Sequence, residues 1–287
     1  MSSTHTAASQ VVGPDRLIAW RSLLQSQHGL ATLQQMMEFG LTWNGVAAQL
    51  AARRWEHVLP RVYSTVTGPL SAPARLTAAL LYGGPTAILS HRTAAELWGL
   101  LPVQDGPVHL TVPYTCSAVS QPPSVVVHRS RAHRHIAVIA DPPRSAIADT
   151  AVDVAVAEPD PVAARRMLVA LLATGRVAVG AVDQRLEERP ARRYRRALAE
   201  AVRLVRDGVH SALEELYAVE VERAHGLPDG RRQEPVVVDG VRLYEDVVYD
   251  HVGAPLTVRL DGRTHLVDGV AFRDRRRDNA AELAGRS

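Results

Sequence analysis

Two aspartates, Asp246 and Asp261, sit in residues 241–265, a stretch that reads as two β-strands. Carboxylates on adjacent strands are how a metal-dependent nuclease holds Mg²⁺, because a hard cation needs several oxygen ligands that also offset its charge. On a helix upstream, Glu214 or Glu215 would approach the sheet, Glu214 being a third candidate ligand, and His265 is suited to pass a proton. Arg259 opposes this set. Strand alternation puts Arg259 and Asp261 on one face, so the guanidinium takes the space the metal needs or pairs with the aspartate. The spacing therefore predicts a vestigial site, with no catalytic residue, no metal and no cofactor, of which Glu214, Asp246, Asp261 and His265 are the remnants.

A second group has chemistry suited to DNA. Thr42, Asn44, Gln49, Arg53, Arg54 and Arg61 lie close together in the chain. Asparagine and glutamine match the edge of adenine, and arginine matches guanine or phosphate. Other tempting residues have simpler readings. Ser90 and His91 adjoin, but sequence neighbours rarely form a nucleophile and base, and Ser90 or Thr93 capping a helix from Ala94 to Gly99 accounts for the segment. His128, His133 and His135 are interleaved with Arg129, Arg131 and Arg134, whose charge repels a metal ion, so a solvated or nucleic-acid-facing basic loop is expected. Cys116, the single cysteine, excludes an internal disulfide and a multi-cysteine zinc site, and reads as an inert half-buried thiol.

Periodicity supplies the frame for these side chains. Residues 15–27 bring Leu17, Ile18, Trp20, Leu23 and Leu24 to helical spacing, with Asp15 able to cap and Gly29 to stop the helix. A helix over 32–39 opens on Thr32 and ends at Gly40, and Thr42 caps a third whose Val46 and Leu50 face inward. Residues 55–63 alternate and turn. The pattern predicts a winged helix-turn-helix over 15–67, preceded by a disordered tail at 1–14. In that arrangement the third helix enters the major groove and the wing follows the phosphates. A three-helix bundle that serves only protein contacts has the same periodicity.

Residues 71–207 read as a mixed α/β middle domain, with helices over 76–82, 93–100, 147–156 and 162–173 and strands over 108–112 and 124–129. From Pro190 to Arg206 a helix puts Tyr194, Leu198, Ala201, Val202 and Val205 on one stripe and Arg192, Arg195, Arg196 and Arg203 outside it. Asp207-Gly208 ends it, Ser211 caps a helix over 212–224, and a third domain spans 208–287. The fold class expected is α+β.

With 46% hydrophobic and 22% charged residues, the 287-residue chain has ordinary globular composition and room for two or three small domains. No apolar run reaches the roughly 18 residues of a membrane span, and no charged-then-apolar leader opens the chain, so the expected location is the cytoplasm, with no membrane partner. Lysine is absent, which removes lysine Schiff-base chemistry, phosphate-loop lysines and the lysine of many nucleases. That bias, with abundant alanine and valine, most simply reflects a GC-rich genome. A net charge of +3 is weak, so local arginine clusters at 53–61, 129–134, 189–206 and 273–277 matter more than the sum.

The run from Gly29 to Trp43, continuing through Arg53-Arg54-Trp55-Glu56-His57-Val58-Leu59-Pro60-Arg61-Val62-Tyr63, resembles the winged-helix domain of AbiEi-like antitoxins of type IV toxin–antitoxin systems. Leu89-Ser90-His91-Arg92-Thr93-Ala94-Ala95-Glu96-Leu97-Trp98-Gly99, with 125–130 and 143–149, resembles the region that follows it in many actinobacterial proteins. Ser211-Ala212-Leu213-Glu214-Glu215, Gln233, Asp246, 259–265 and 275–279 are similar to a Vsr-like endonuclease of the PD-(D/E)xK fold. This resemblance implies a restriction-endonuclease-like α/β domain. The family has Glu-Leu-Asp-Gly where this chain has Arg259-Leu260-Asp261-Gly262, and it places a further apolar strand after the segment at 275–279, so the resemblance implies an inactive domain lacking its last strand.

Together these features point to a DNA-binding protein, a transcriptional regulator or antitoxin-like repressor with an inactive nuclease-like end. The expected partners are duplex DNA, a cognate toxin and a second copy that completes the sheet as a homodimer. Two alternatives are a Mg²⁺-dependent DNA endonuclease and a toxin-neutralising module that touches no DNA.

Overall fold

A computed structural model describes residues 12–13, 16–138, 140–209, 211–238, 241–253 and 256–260. The chain is α+β and divides into two compact units, Met1–Thr150 and Ala151–Ser287. The boundary expected at 67–71 falls inside the first unit, and the one at 207–208 inside the second. Among the described residues no helix is long and apolar enough to cross a membrane.

The first unit opens with α1 (Leu17–Ser26), β1 (Leu30–Thr32), α2 (Leu33–Glu38), α3 (Trp43–Ala51), β2 (Glu56–Leu59) and β3 (Val62–Ser64). Asp15, the expected cap of α1, lies outside the described residues. Thr32 starts α2 with a capping box: its Oγ1 accepts from the Gln35 amide at 3.1 Å while Gln35 Oε1 accepts from the Thr32 amide at 2.9 Å. Gly40, at φ 90, takes the left-handed turn that ends α2 and leads into α3. The strands form an antiparallel sheet in the order β1-β3-β2. Trp20, Met36, Val46, Trp55 and Tyr63 close the helices onto it. Val12 is buried in the same core, so this residue of the segment read as a disordered tail is packed.

α4 (Ala72–Gly83) then joins that sheet to a second one. Leu30, Leu59 and Val62 share a single core with Ala78 of α4 and with Leu89, Leu110 and Val125 farther along. One core thus takes residues from both sides of 67–71, although most of that segment is itself exposed. The second sheet contains β4 (Ile88–Leu89), β5 (Val108–Pro113), β6 (Val125–Ser130), β7 (Ala137–Val138) and β8 (Arg144–Ser145), in the order β6-β5-β4-β8-β7. α5 (His91–Leu97) and α6 (His133–Ile136) both pack against β5.

α7 (Ile147–Val156) crosses the division between the units. The second unit continues with α8 (Pro161–Ala173), α9 (Val179–Glu188) and α10 (Arg195–Arg206). α10 begins at Arg195 and not at Pro190, because Tyr194 at φ 58 lies outside the helical region. Its buried Leu198, Ala201, Val202 and Val205 face α8, and Arg195, Arg196 and Arg203 are exposed, as the stripe required. The helix expected over 212–224 is split into α11 (Ala212–Leu216) and a π-helical stretch, Tyr217–Arg223. β9 (Arg231–Val238), β10 (Val241–Val248) and β11 (Thr257–Val258) follow as an antiparallel meander in the order β11-β10-β9.

Buried charge organises this second unit. The fully buried Glu215 accepts from Arg165 and from Arg166 Nε at 3.2 Å, and Glu200 bridges Arg165 (3.2 Å) and Arg223 (2.6 Å). Glu222, also buried, accepts from Arg232, from the Tyr249 hydroxyl at 2.6 Å and from the Gly230 amide at 3.0 Å. Position 230 must be glycine, since a Cβ there would come within 2.2 Å of Val247 Cγ1. Burial, and then the bond to Glu222, push the Tyr249 hydroxyl well above its ordinary pKa, so it remains a donor.

Candidate nucleic-acid interface

The turn into α3 and the β2–β3 hairpin hold five of the six DNA candidates at the surface. Thr42 Oγ1 accepts from the Gly45 amide at 3.2 Å and fixes the start of α3, which leaves Asn44 exposed on the first turn. Arg53, at φ 53, leaves the helix in the left-handed region, and Arg61, at φ 63, turns the chain between β2 and β3. Arg53, Arg54 and Arg61 are all exposed. Three cations therefore flank a helix that itself carries none.

Gln49 is the correction. It was expected to reach a base edge, but it is buried and its Oε1 accepts from Arg54 Nε at 2.9 Å. Val46, Gln49 and Leu50 follow the spacing of one helical face, and that face is turned to the core. The inward assignment of Val46 already carried this signal. In place of reading DNA, Gln49 fixes the direction of the Arg54 guanidinium.

The five-stranded sheet of the first unit holds a site that sequence reasoning missed. His91 at the start of α5, His109 on β5 and His128 on β6 form one cluster. The His91 and His128 rings stack with centroids 3.5 Å apart, and His109 Nδ1 lies 3.1 Å from His128 Nε2, an N–H···N hydrogen bond. Burial, then the proximity of His128 and His109, hold His91 well below its ordinary pKa. Burial and then His109 lower His128 to about 4, and burial followed by Arg92 lowers His109. The three are neutral imidazoles at neutral pH. Among the described residues no group of three or more His, Cys, Asp or Glu side chains is arranged to hold a metal ion.

Two further expectations change here. Ser90 makes no side-chain capping bond: its buried Oγ lies 3.0 Å from His91 Nδ1, and Thr93 Oγ1 accepts from the His109 amide at 2.9 Å. Both hydroxyls tie α5 to the histidines and leave the helix start uncapped by either. The basic loop is also not wholly solvated. His133 is buried, His128 belongs to the cluster, Arg129 donates to the carbonyls of Cys116 and Ala118, and Arg131 lies over the Tyr114 ring at 4.4 Å. Arg134 and His135 do face solvent.

In the second unit Glu214 and Asp246 are described, whereas Asp261 and His265 lie outside the described residues. Glu214 is buried, and its Oε1 accepts from Ser211 Oγ at 3.1 Å and from Gln233 Nε2 at 3.4 Å. Asp246 Oδ2 accepts from the Leu260 amide at 3.0 Å, which ties the chain after β11 back to β10. Arg259 is partly buried and engaged within the protein. The neighbouring Glu215, and Glu222 and Glu245, which were not singled out by sequence, are all buried; Glu245 Oε2 accepts from Thr257 Oγ1 at 3.3 Å. Each carboxylate is committed to the packing of helix, sheet or following chain.

Comparison of the chain with protein-family models and with the curated proteins finds no match.

Proposed function

We propose that the protein binds duplex DNA through α3 and the β2–β3 hairpin and acts as a transcriptional regulator or antitoxin-like repressor whose C-terminal unit does not cleave DNA. The observation that carries this reading is the exposure of Asn44, Arg53, Arg54 and Arg61 around one helix and one hairpin turn. The order of helix, strand, helix, turn, helix and hairpin supports a winged helix-turn-helix, and that geometry puts such side chains against bases and phosphates. The resemblance of residues 29–63 to AbiEi-like antitoxins supports the same reading. For the C-terminal unit the support is Arg259, where the related nuclease pattern has a carboxylate, together with the internal hydrogen bonds of Glu214 and Asp246. A titration of duplex DNA at several salt concentrations tests the proposal. The expected result is retention at low salt with a steep loss of affinity as salt rises. Absence of retention at any salt concentration would overturn it.

A further inference from the structure

The base preference of this face follows from which side chains α3 leaves exposed, and the argument rests on the DNA-binding reading above. Helices of this type read bases with their N-terminal residues. On α3 those residues are Trp43, half exposed, and Asn44, exposed, with Ala48 and Ala51 following Asn44 on the same outward face. No cation lies between Trp43 and Ala52. Arg53 and Arg54 come after the C-terminal end of the helix, where the backbone turns away through Arg53 and Gln49 holds the Arg54 side chain. Guanine is read chiefly by arginine or lysine bonded to O6 and N7, and the helix offers neither. Asparagine matches adenine, accepting from N6 and donating to N7, and apolar side chains pack on the thymine methyl.

We propose that α3 selects A·T pairs: Asn44 bonds the major-groove edge of adenine, Trp43 and Ala48 pack on thymine methyls, and Arg53, Arg54 and Arg61 hold phosphates without regard to sequence. The burial of Gln49 sharpens the assignment, because it leaves Asn44 as the amide on the outward face of the helix.

Selection from a random duplex library with the full chain tests this directly. The enriched site should carry adenine and thymine at the contacted positions. Asn44→Ala should weaken binding to that site about tenfold or more, the effect of losing one bidentate base contact, and should weaken it more than binding to random duplex. Replacing thymine by uracil removes only the methyl group and should weaken wild-type binding several-fold. Enrichment of guanine at the contacted positions, or an Asn44→Ala variant that selects the same site with the same affinity, would overturn the inference while leaving DNA binding intact. If no duplex is retained at low salt, the DNA-binding reading itself falls, and this inference with it.

Discussion

The two units use charge in opposite ways. Around α3 the arginines are exposed and flank a surface, whereas in the second unit Glu215 and Glu222 are fully buried and their guanidinium partners are folded onto them. A buried charge is costly unless it is paired, so those glutamates are fixed by the fold itself. An exposed cation gives little to stability and is free to meet an anion from outside. The lesson is that arginine-rich sequence does not by itself mark a binding face. The C-terminal carboxylates look like a catalytic set when counted along the chain, and the structure gives most of them internal partners.

The largest effect that would break this contrast is on stability. Glu222→Ala leaves Arg232 buried without its carboxylate and removes the acceptor for Tyr249 and Gly230, so the second unit should lose about 3–5 kcal/mol in chemical denaturation. Arg53→Ala should change stability by less than about 0.5 kcal/mol. Equal effects from the two changes would contradict the division between structural and surface charge.

The histidine cluster gives the next largest effect, now in the first unit. In the unfolded chain these imidazoles take up protons near 6.5, and packing lowers all three, His128 to about 4. A depressed histidine pKa means that the unfolded chain binds more protons between the two values. The stabilising contribution is therefore complete above about pH 6.5 and is lost as pH falls toward about 4. For His128 this is roughly 2 kcal/mol after allowance for its partial exposure. Thermal unfolding across that range should show the loss, and His128→Phe should remove part of it. A flat profile would show that the packed rings do not resist protonation.

Much of the N-terminal frame was legible because its signals are local. Thr32, Gly40 and Thr42 each act within a few residues, and the structure places each in the role read from sequence. Gln49 was only partly legible: its spacing from Val46 points inward, but its polarity suggested a base contact, and the bond to Arg54 that makes burial tolerable is visible only in three dimensions. The histidine cluster could not be read. His91, His109 and His128 come from a helix and two strands that only the sheet brings together, and β4, β7 and β8 are two-residue strands too short to show alternation. β9 was hidden because Arg231-Arg232-Gln233-Glu234-Pro235 reads as a charged loop until it pairs with β10. The π-helical stretch in 217–223 likewise has no simple periodic signature.

Smaller effects sharpen the account of the DNA face. Changing Arg53 and Arg54 together to alanine should lower the slope of log affinity against log salt by about two units, about 0.9 for each lost phosphate contact. An unchanged slope would remove both arginines from the interface. Gln49→Ala should have the smallest effect on DNA, about fivefold or less, because it only releases the Arg54 side chain from its 2.9 Å bond, and should cost about 1 kcal/mol of stability. A loss as large as that of Asn44→Ala would return Gln49 to the reading face.

The central claim, binding without cleavage, is tested most directly by one gel-shift series on duplex DNA from the region upstream of the gene, run with and without Mg²⁺, with the recovered strands sized afterwards. A salt-sensitive complex is expected, weaker and less salt-sensitive in the Arg53→Ala, Arg54→Ala double variant, with strands of full length in both conditions. Strand cleavage that needs Mg²⁺ and disappears with Asp246→Ala would contradict it.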